Sequence, residues 1–191
     1  LFRSAGTKAD LIIANPNGIV CNGCGFINTS HLTFVAGRSD FDNNGNLGFN
    51  LTSQTNPNLY VPLITVGGLG LDVTRTTSTD IIASSVKLLS SVYGSDNTDL
   101  TIKTGEGRYD YTTKNITGNN IQNNTDPVFA IDASSLAKIQ SGRVYLIATK
   151  QGVGVNMAGE ILASQTLNID ANGDVYYSKA LATNSISANS N

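Results

Sequence analysis

The chain has 191 residues, a formal net charge of −2 and only 14% charged side chains, so it carries no electrostatic footprint for nucleic acid or an anionic membrane. One domain with a substantial core is expected at this length, and no run approaches the ~18 apolar residues of a membrane-crossing helix. With 19 Gly, at least as many Asn, no Trp and 40% hydrophobic residues, the composition points away from disorder and towards a turn-rich, extracellular all-β protein.

Taken in chain order, Leu1-Phe2-Arg3-Ser4 lacks the basic-then-apolar order of a signal peptide. An exported protein with this start is expected to be a processed or truncated piece. Leu11-Ile12-Ile13-Ala14-Asn15 reads as a strand that stops sharply, because a residue before proline is pushed to extended geometry. Asn15-Pro16-Asn17-Gly18 then has the preferred pattern of a type I turn: Asn first, Pro with its preset φ second, Gly fourth. Asn22-Gly23 predicts a second turn before Phe26-Ile27-Asn28-Thr29 resumes extended structure. Asp40 to Phe49 reads as a hairpin around Asn44-Gly45, running on into a loop at Ser53 to Asn58.

Further along, Leu71 and Val73, Leu100 and Ile102, Phe129 and Ile131, and Leu167 and Ile169 each alternate with polar neighbours. Each run is a short strand with one inward face. Gly105 to Asp126, rich in Asn, Thr and Gly, breaks the rhythm and holds Tyr109 and Tyr111. Residues 40–62 and 105–126 are therefore expected to leave the main body, and such loops are where binding tends to reside. Ser134-Ser135-Leu136-Ala137-Lys138-Ile139 fits a helical turn or two, and 185–191 lacks an apolar pattern and is expected to fray.

The spacing adds an architecture. Leu11 to Leu32 and Leu146 to Leu167 are steps of about 21 residues, and Ile81 to Leu100 is about 19, which suits a solenoid of stacked short strands better than a β-sandwich. Aliphatic side chains would stack inside it, and turn Asn residues could form amide ladders.

Candidate chemistry is sparse. Cys21 and Cys24 are followed by Gly25 and Phe26 leading into a strand, whereas a thioredoxin-like pair opens a helix. These sulfurs and the single His31 do not complete a structural zinc site. No nucleophile motif surrounds His31 and Ser30. Asp72, Arg75 and Asp80 are the one group of acids and a base worth testing for polysaccharide-degrading chemistry. Gly67-Gly68-Leu69-Gly70 lacks the Lys-Ser/Thr ending of a phosphate loop. No catalytic residue, metal or cofactor is assigned.

The block Asn15-Pro16-Asn17-Gly18-Ile19 resembles the Asn-Pro-Asn-Gly-Ile motif of two-partner secretion domains, found in filamentous-haemagglutinin-like adhesins, haemolysins and contact-dependent growth inhibition proteins. Leu32 to Gly37, Thr79 to Ala83, Phe129 to Asp132, Gly142 to Ile147 and Gly152 to Gly159 resemble later segments of that family, in the same order. The resemblance implies a right-handed parallel β-helix with extra-helical hairpins, in one domain spanning 1–191. It implies a secretion-targeting module of a Gram-negative surface exoprotein, exported through the periplasm and recognised by an outer-membrane β-barrel partner with periplasmic domains. Asn15, Pro16, Asn17, Gly18 and Ile19 are then the residues expected either to meet that partner or to start folding. A monomer that neither inserts in a membrane nor binds nucleic acid is expected. In an exported chain Cys21 and Cys24 are expected to form a disulfide.

Two alternatives come with this reading. Tyr109 and Tyr111 could form a ligand-binding loop for host glycan or protein, and a β-helix enzyme would need paired acids across coils. The family's domain also begins with capping strands and an upstream Asn-Pro-Asn-Leu motif. Neither occurs before Leu1, and Asn56-Pro57-Asn58-Leu59 lies downstream, as a coincidental turn. The cap is therefore expected to be associated with this piece or needed for its stability.

Overall fold

The computed structural model describes residues 2–51, 63–118 and 126–191. The chain opens with β1 (Phe2–Arg3), β2 (Ala9–Ala14), β3 (Ile19–Ile27) and β4 (Thr29–Val35), then departs into the hairpin β5 (Gly37–Phe41) and β6 (Leu47–Leu51). It returns through β7 (Ile64–Asp72), β8 (Ser78–Ala83), β9 (Val86–Leu88), β10 (Val92–Tyr93) and β11 (Asp99–Thr104). A second departure carries β12 (Arg108–Asp110) and β13 (Ile116–Thr117). The rest is β14 (Phe129–Ala133), β15 (Lys138–Ala148), β16 (Gly154–Ala171), β17 (Val175–Ala182) and β18 (Ser185–Ser190).

These strands wind as a parallel β-helix. One face stacks β2, β4, β8, β11, the C-terminal halves of β15 and β16, and β18, every neighbour parallel. A second stacks β3, β7, β9, β14, β16 and β17. The remaining face is narrow and runs through Cys24, Leu71, Val92, Ile139, Ile161 and Ala180. Parallel stacking at roughly 4.8 Å aligns equivalent side chains into columns. Leu32, Thr79, Leu100, Val144 and Leu167 form one column, and Phe34, Ile81, Ile102, Leu146 and Ile169 the next, all fully buried or nearly so. At roughly 1.5–3 kcal/mol for each fully buried large aliphatic side chain, one added coil contributes several kcal/mol through neighbour contacts alone.

The two departures meet. β5, β6, β12 and β13 form a separate antiparallel sheet in the order β13-β12-β6-β5. Its inner side chains Phe49, Leu51 and Tyr109 pack on Val35 and Ile82, which point outwards from β4 and β8. The hairpin turn at Asn44-Gly45 is as expected, with Gly45 at φ 79° and its N–H donating to Asp42 O at 3.0 Å. Residues 52–62, including Asn56 to Leu59, and 119–125 lie outside the described residues.

Local structure departs from expectation in four places. Asn22-Gly23 does not reverse the chain: β3 runs through it, and its register with β7 shifts there as one face gives way to the next. Residues 134–139 form a single turn, Ala137 N–H to Ser134 O at 3.0 Å, and then enter β15, because β9, β10 and β16 offer backbone partners that a short helix would forfeit. Residues 185–190 do not fray. They form β18, exposed in side chain but paired in backbone with Thr166–Ala171. Finally, among the described residues Asn side chains do bond between coils, but to carboxylate and backbone oxygens instead of to one another: Asn156 donates to Asp132 Oδ1 at 2.8 Å and Asn172 to Thr149 O at 2.7 Å.

Candidate functional site

The Asn15–Gly18 turn carries the chain from β2 to β3, from the face of one coil to the next. Gly18 N–H donates to Asn15 O at 3.1 Å, closing the turn, while Asn17 N–H donates to Asn15 Oδ1 at 3.0 Å. Asn15 therefore spends its side chain on the turn's own backbone. Asn17 is exposed, and so is Val20, at 76%. Outside the turn, Asn15 N–H donates to Val35 O at 2.9 Å and Ile19 N–H to Leu63 O at 2.8 Å. Two later passages of the chain, the end of β4 and the residue just before β7, thus hold the motif.

Gly18 is required on two counts. Its φ is 97°, and a Cβ there would sit 2.8 Å from Leu63 O. Both the backbone sign and the close approach of the neighbouring coil exclude a side chain. Ile19 turns its side chain to the core, so the motif has an anchored end and a displayed end. Cys21 and Cys24 follow at once and are bonded, with Cα atoms 5.5 Å apart. Cys21 is fully buried beside the helix interior.

Tyr109 and Tyr111 do not form an exposed loop. Tyr109 is 1% exposed, stacked on Phe49 with ring centroids 6.5 Å apart. Burial, then the charge of Asp80, pushes its hydroxyl far above the ordinary tyrosine range. Tyr111 is half-buried with Lys114 Nζ 4.0 Å over its ring. In β12 Tyr109 is buried between the half-buried Arg108 and Asp110, and the β-helix covers its side of the strand. Next to this packing, Asp80 Oδ2 accepts from Lys114 Nζ at 3.1 Å and lies 3.1 Å from His31 Nε2. Burial raises the Asp80 carboxyl, but the His31 hydrogen bond and Lys114 charge outweigh it and hold it below the usual carboxylate value. Burial depresses the nearby Lys103 ammonium, with Asp80 opposing. His31 and Asp80 thereby join two coils to the extra-helical sheet.

Among the described residues, the two acids of the polysaccharide-degrading reading are each engaged elsewhere. Asp72 Oδ1 caps its own turn, accepting from Thr74 N–H at 3.0 Å, and Asp80 is committed to His31 and Lys114. Among the described residues, no group of His, Cys, Asp and Glu could hold a metal ion.

Residues 1–177 match the family model described as the TPS secretion domain. The chain belongs to that family. This TPS domain is 37% identical over 160 residues to a toxin CdiA of Yersinia pestis, covering 84% of the chain. It is 36% identical over 170 residues to the tRNA nuclease CdiA-2 of Burkholderia pseudomallei (strain 1026b), covering 88%. A hemolysin of Proteus mirabilis is 31% identical across 87% of the chain. The chain spans only 4%, 5% and 9% of those relatives' lengths, respectively. The crystal structure of a filamentous hemagglutinin secretion domain superposes with a TM-score of 0.75 at 24% identity, covering 97% of this chain and 66% of that one. The fold is therefore the β-helix of that secretion domain.

Sequence reasoning about this TPS domain missed the role of Leu63, whose carbonyl receives Ile19 N–H and crowds Gly18. It also missed the Asp80–His31–Lys114 cluster. No local signal marks either, because the partners lie in other coils.

Proposed function

We propose that this domain is the secretion-targeting module of a large surface exoprotein, recognised by an outer-membrane β-barrel transporter through the transporter's periplasmic domains. The observation that carries the proposal is the division of labour within the Asn15–Ile19 turn. Its backbone is held by Val35, Leu63 and the Asn15 side chain, and the Asn17 side chain is left displayed beside Val20. A residue that the fold does not use, set on a motif that the fold holds firmly, is free to serve recognition. The stacked columns supply the second half of the function: each coil emerging outside the cell packs on the one before it, and folding advances without distant contacts. The Cys21–Cys24 bridge fastens the strand that follows the turn once the chain has reached an oxidising compartment.

The test is export of the natural exoprotein with and without its transporter. Asn17→Asp changes an exposed amide to a charge at a site without packing constraints. Transporter-dependent release that falls in Asn17→Asp, with β-sheet circular dichroism retained, is the expected result. Release that does not depend on the transporter refutes targeting; unchanged release of Asn17→Asp refutes the assignment to this turn.

A further inference from the structure

Lys150, a residue the targeting function does not use, is buried with two carboxylates. Its Nζ is 2.6 Å from Asp126 Oδ1 and 2.9 Å from Glu106 Oε2, and the side chains of Lys150, Asp126 and Glu106 are only 5%, 1% and 11% exposed. The three come from separate segments. Glu106 and Asp126 stand at the two ends of the second departure, just before β12 and just before β14, and Lys150 follows β15. We propose that Lys150 and Asp126 condense to an intramolecular isopeptide bond, with Glu106 as proton carrier, so that the returning end of the extra-helical excursion becomes covalently joined to the turn after β15.

The chemistry needs a neutral amine, a protonated carboxyl group and a base, and the cluster holds the three groups in contact, with Nζ within hydrogen-bond reach of both carboxyl groups. Moving one proton from Lys150 Nζ to the Asp126 carboxyl yields the amine and the acid while Glu106 stays ionised. Nζ then attacks Asp126 Cγ, forming the C–N bond. Glu106 accepts a proton from the nitrogen and delivers it to the departing hydroxyl, and one water leaves as the amide forms. Glu106 ends as it began, and no oxidant or cofactor is consumed. Holding amine and acid in contact supplies the effective concentration such a condensation requires.

A second feature removes the usual competitor. An activated aspartyl carbonyl is open to capture by the peptide nitrogen of the next residue. Here that residue is Pro127, which has no N–H to give up. Neighbouring backbone also fixes the nucleophile: Val153 N–H donates to Lys150 O at 3.2 Å, and Gly154 N–H to Val128 O at 2.8 Å.

The experiment is peptide mass spectrometry on the exoprotein released by its native host, unfolded and digested with trypsin. The expected product joins Asn115–Lys138 to Val144–Lys179, uncut after Lys150 and lighter than the sum by one water. Lys150→Arg keeps the charge pairing but removes the nucleophile, and is expected to be released and protease-resistant with no joined peptide. Glu106→Gln is expected to leave the two peptides separate in a folded protein. Recovery of Asn115–Lys138 and Val144–Lys150 as separate, unmodified peptides from folded wild-type protein overturns the proposal. A joined product in Glu106→Gln overturns the role of Glu106.

Discussion

Replacing Gly18 with Ala tests whether the Asn15–Ile19 turn is held by the next coils or by itself. An L-residue at φ 97° costs about 1–2 kcal/mol in backbone strain. The added Cβ would lie 2.8 Å from Leu63 O, closer than Cβ atoms approach a carbonyl, so β7 must retreat from the turn. That retreat lengthens or breaks the Ile19 N–H to Leu63 O bond of 2.8 Å, which is worth about 0.5–1.5 kcal/mol. Together the terms predict a loss of about 1.5–3.5 kcal/mol, a large share of a domain's margin. Asn17→Ala, exposed and bonding only through its backbone N–H, is expected to change stability by less than about 0.5 kcal/mol. Urea unfolding followed by circular dichroism measures both. If Gly18→Ala matched wild type within about 0.5 kcal/mol, the close approach of Leu63 would not constrain the turn and the argument would fail. Equal losses in both variants would refute the separation of a structural from a displayed residue.

Three further outcomes follow from the packing. Asp80, with its carboxyl held below the ordinary value of 3.8 by His31 and Lys114, contributes stability that is fully present above that value and lost as pH falls through the folded-state value. Asp80→Asn should therefore flatten the acid limb of a stability-versus-pH curve, and an unchanged slope would show that the cluster does not tether the extra-helical sheet. Tyr109→Phe removes a buried hydroxyl without a hydrogen-bond partner among the described residues and should leave stability unchanged or raise it by about 1 kcal/mol in thermal unfolding; a loss beyond about 1 kcal/mol would reveal a partner for it. Ile102→Ala, at a fully buried site between Ile81 and Leu146, should cost about 2–5 kcal/mol, read as faster hydrogen exchange in β8, β11 and β15 than in β17; uniform acceleration would contradict coil-by-coil stability.

Much of this protein is written in short-range terms. The Asn15–Gly18 turn needs only a proline φ, an Asn side chain and a glycine, all within one peptide stretch, and Gly18 N–H does bond Asn15 O. Alternation at Leu100/Ile102 and Leu167/Ile169 depends only on the pleat, and those side chains do fill the interior. The Asn44-Gly45 hairpin is equally local. These features, with the approximate step between coils, point to a solenoid of short strands; the β-helix and the family rest on the resemblance carried by Asn15 to Ile19 and the later segments.

Tertiary structure decided what the strands face. A pleat tells which side of β12 is apolar but not what covers it, so Tyr109, read as a binding residue, is core because the extra-helical sheet lies on β4 and β8. A backbone can pair without an apolar pattern, so 185–190 became β18 through its backbone pairing with β16. The Asp80–His31–Lys114 and Lys150–Asp126–Glu106 clusters join side chains many residues apart. Their charges are meaningful only once stacking has brought the coils together and excluded water, a condition that no single stretch of sequence contains.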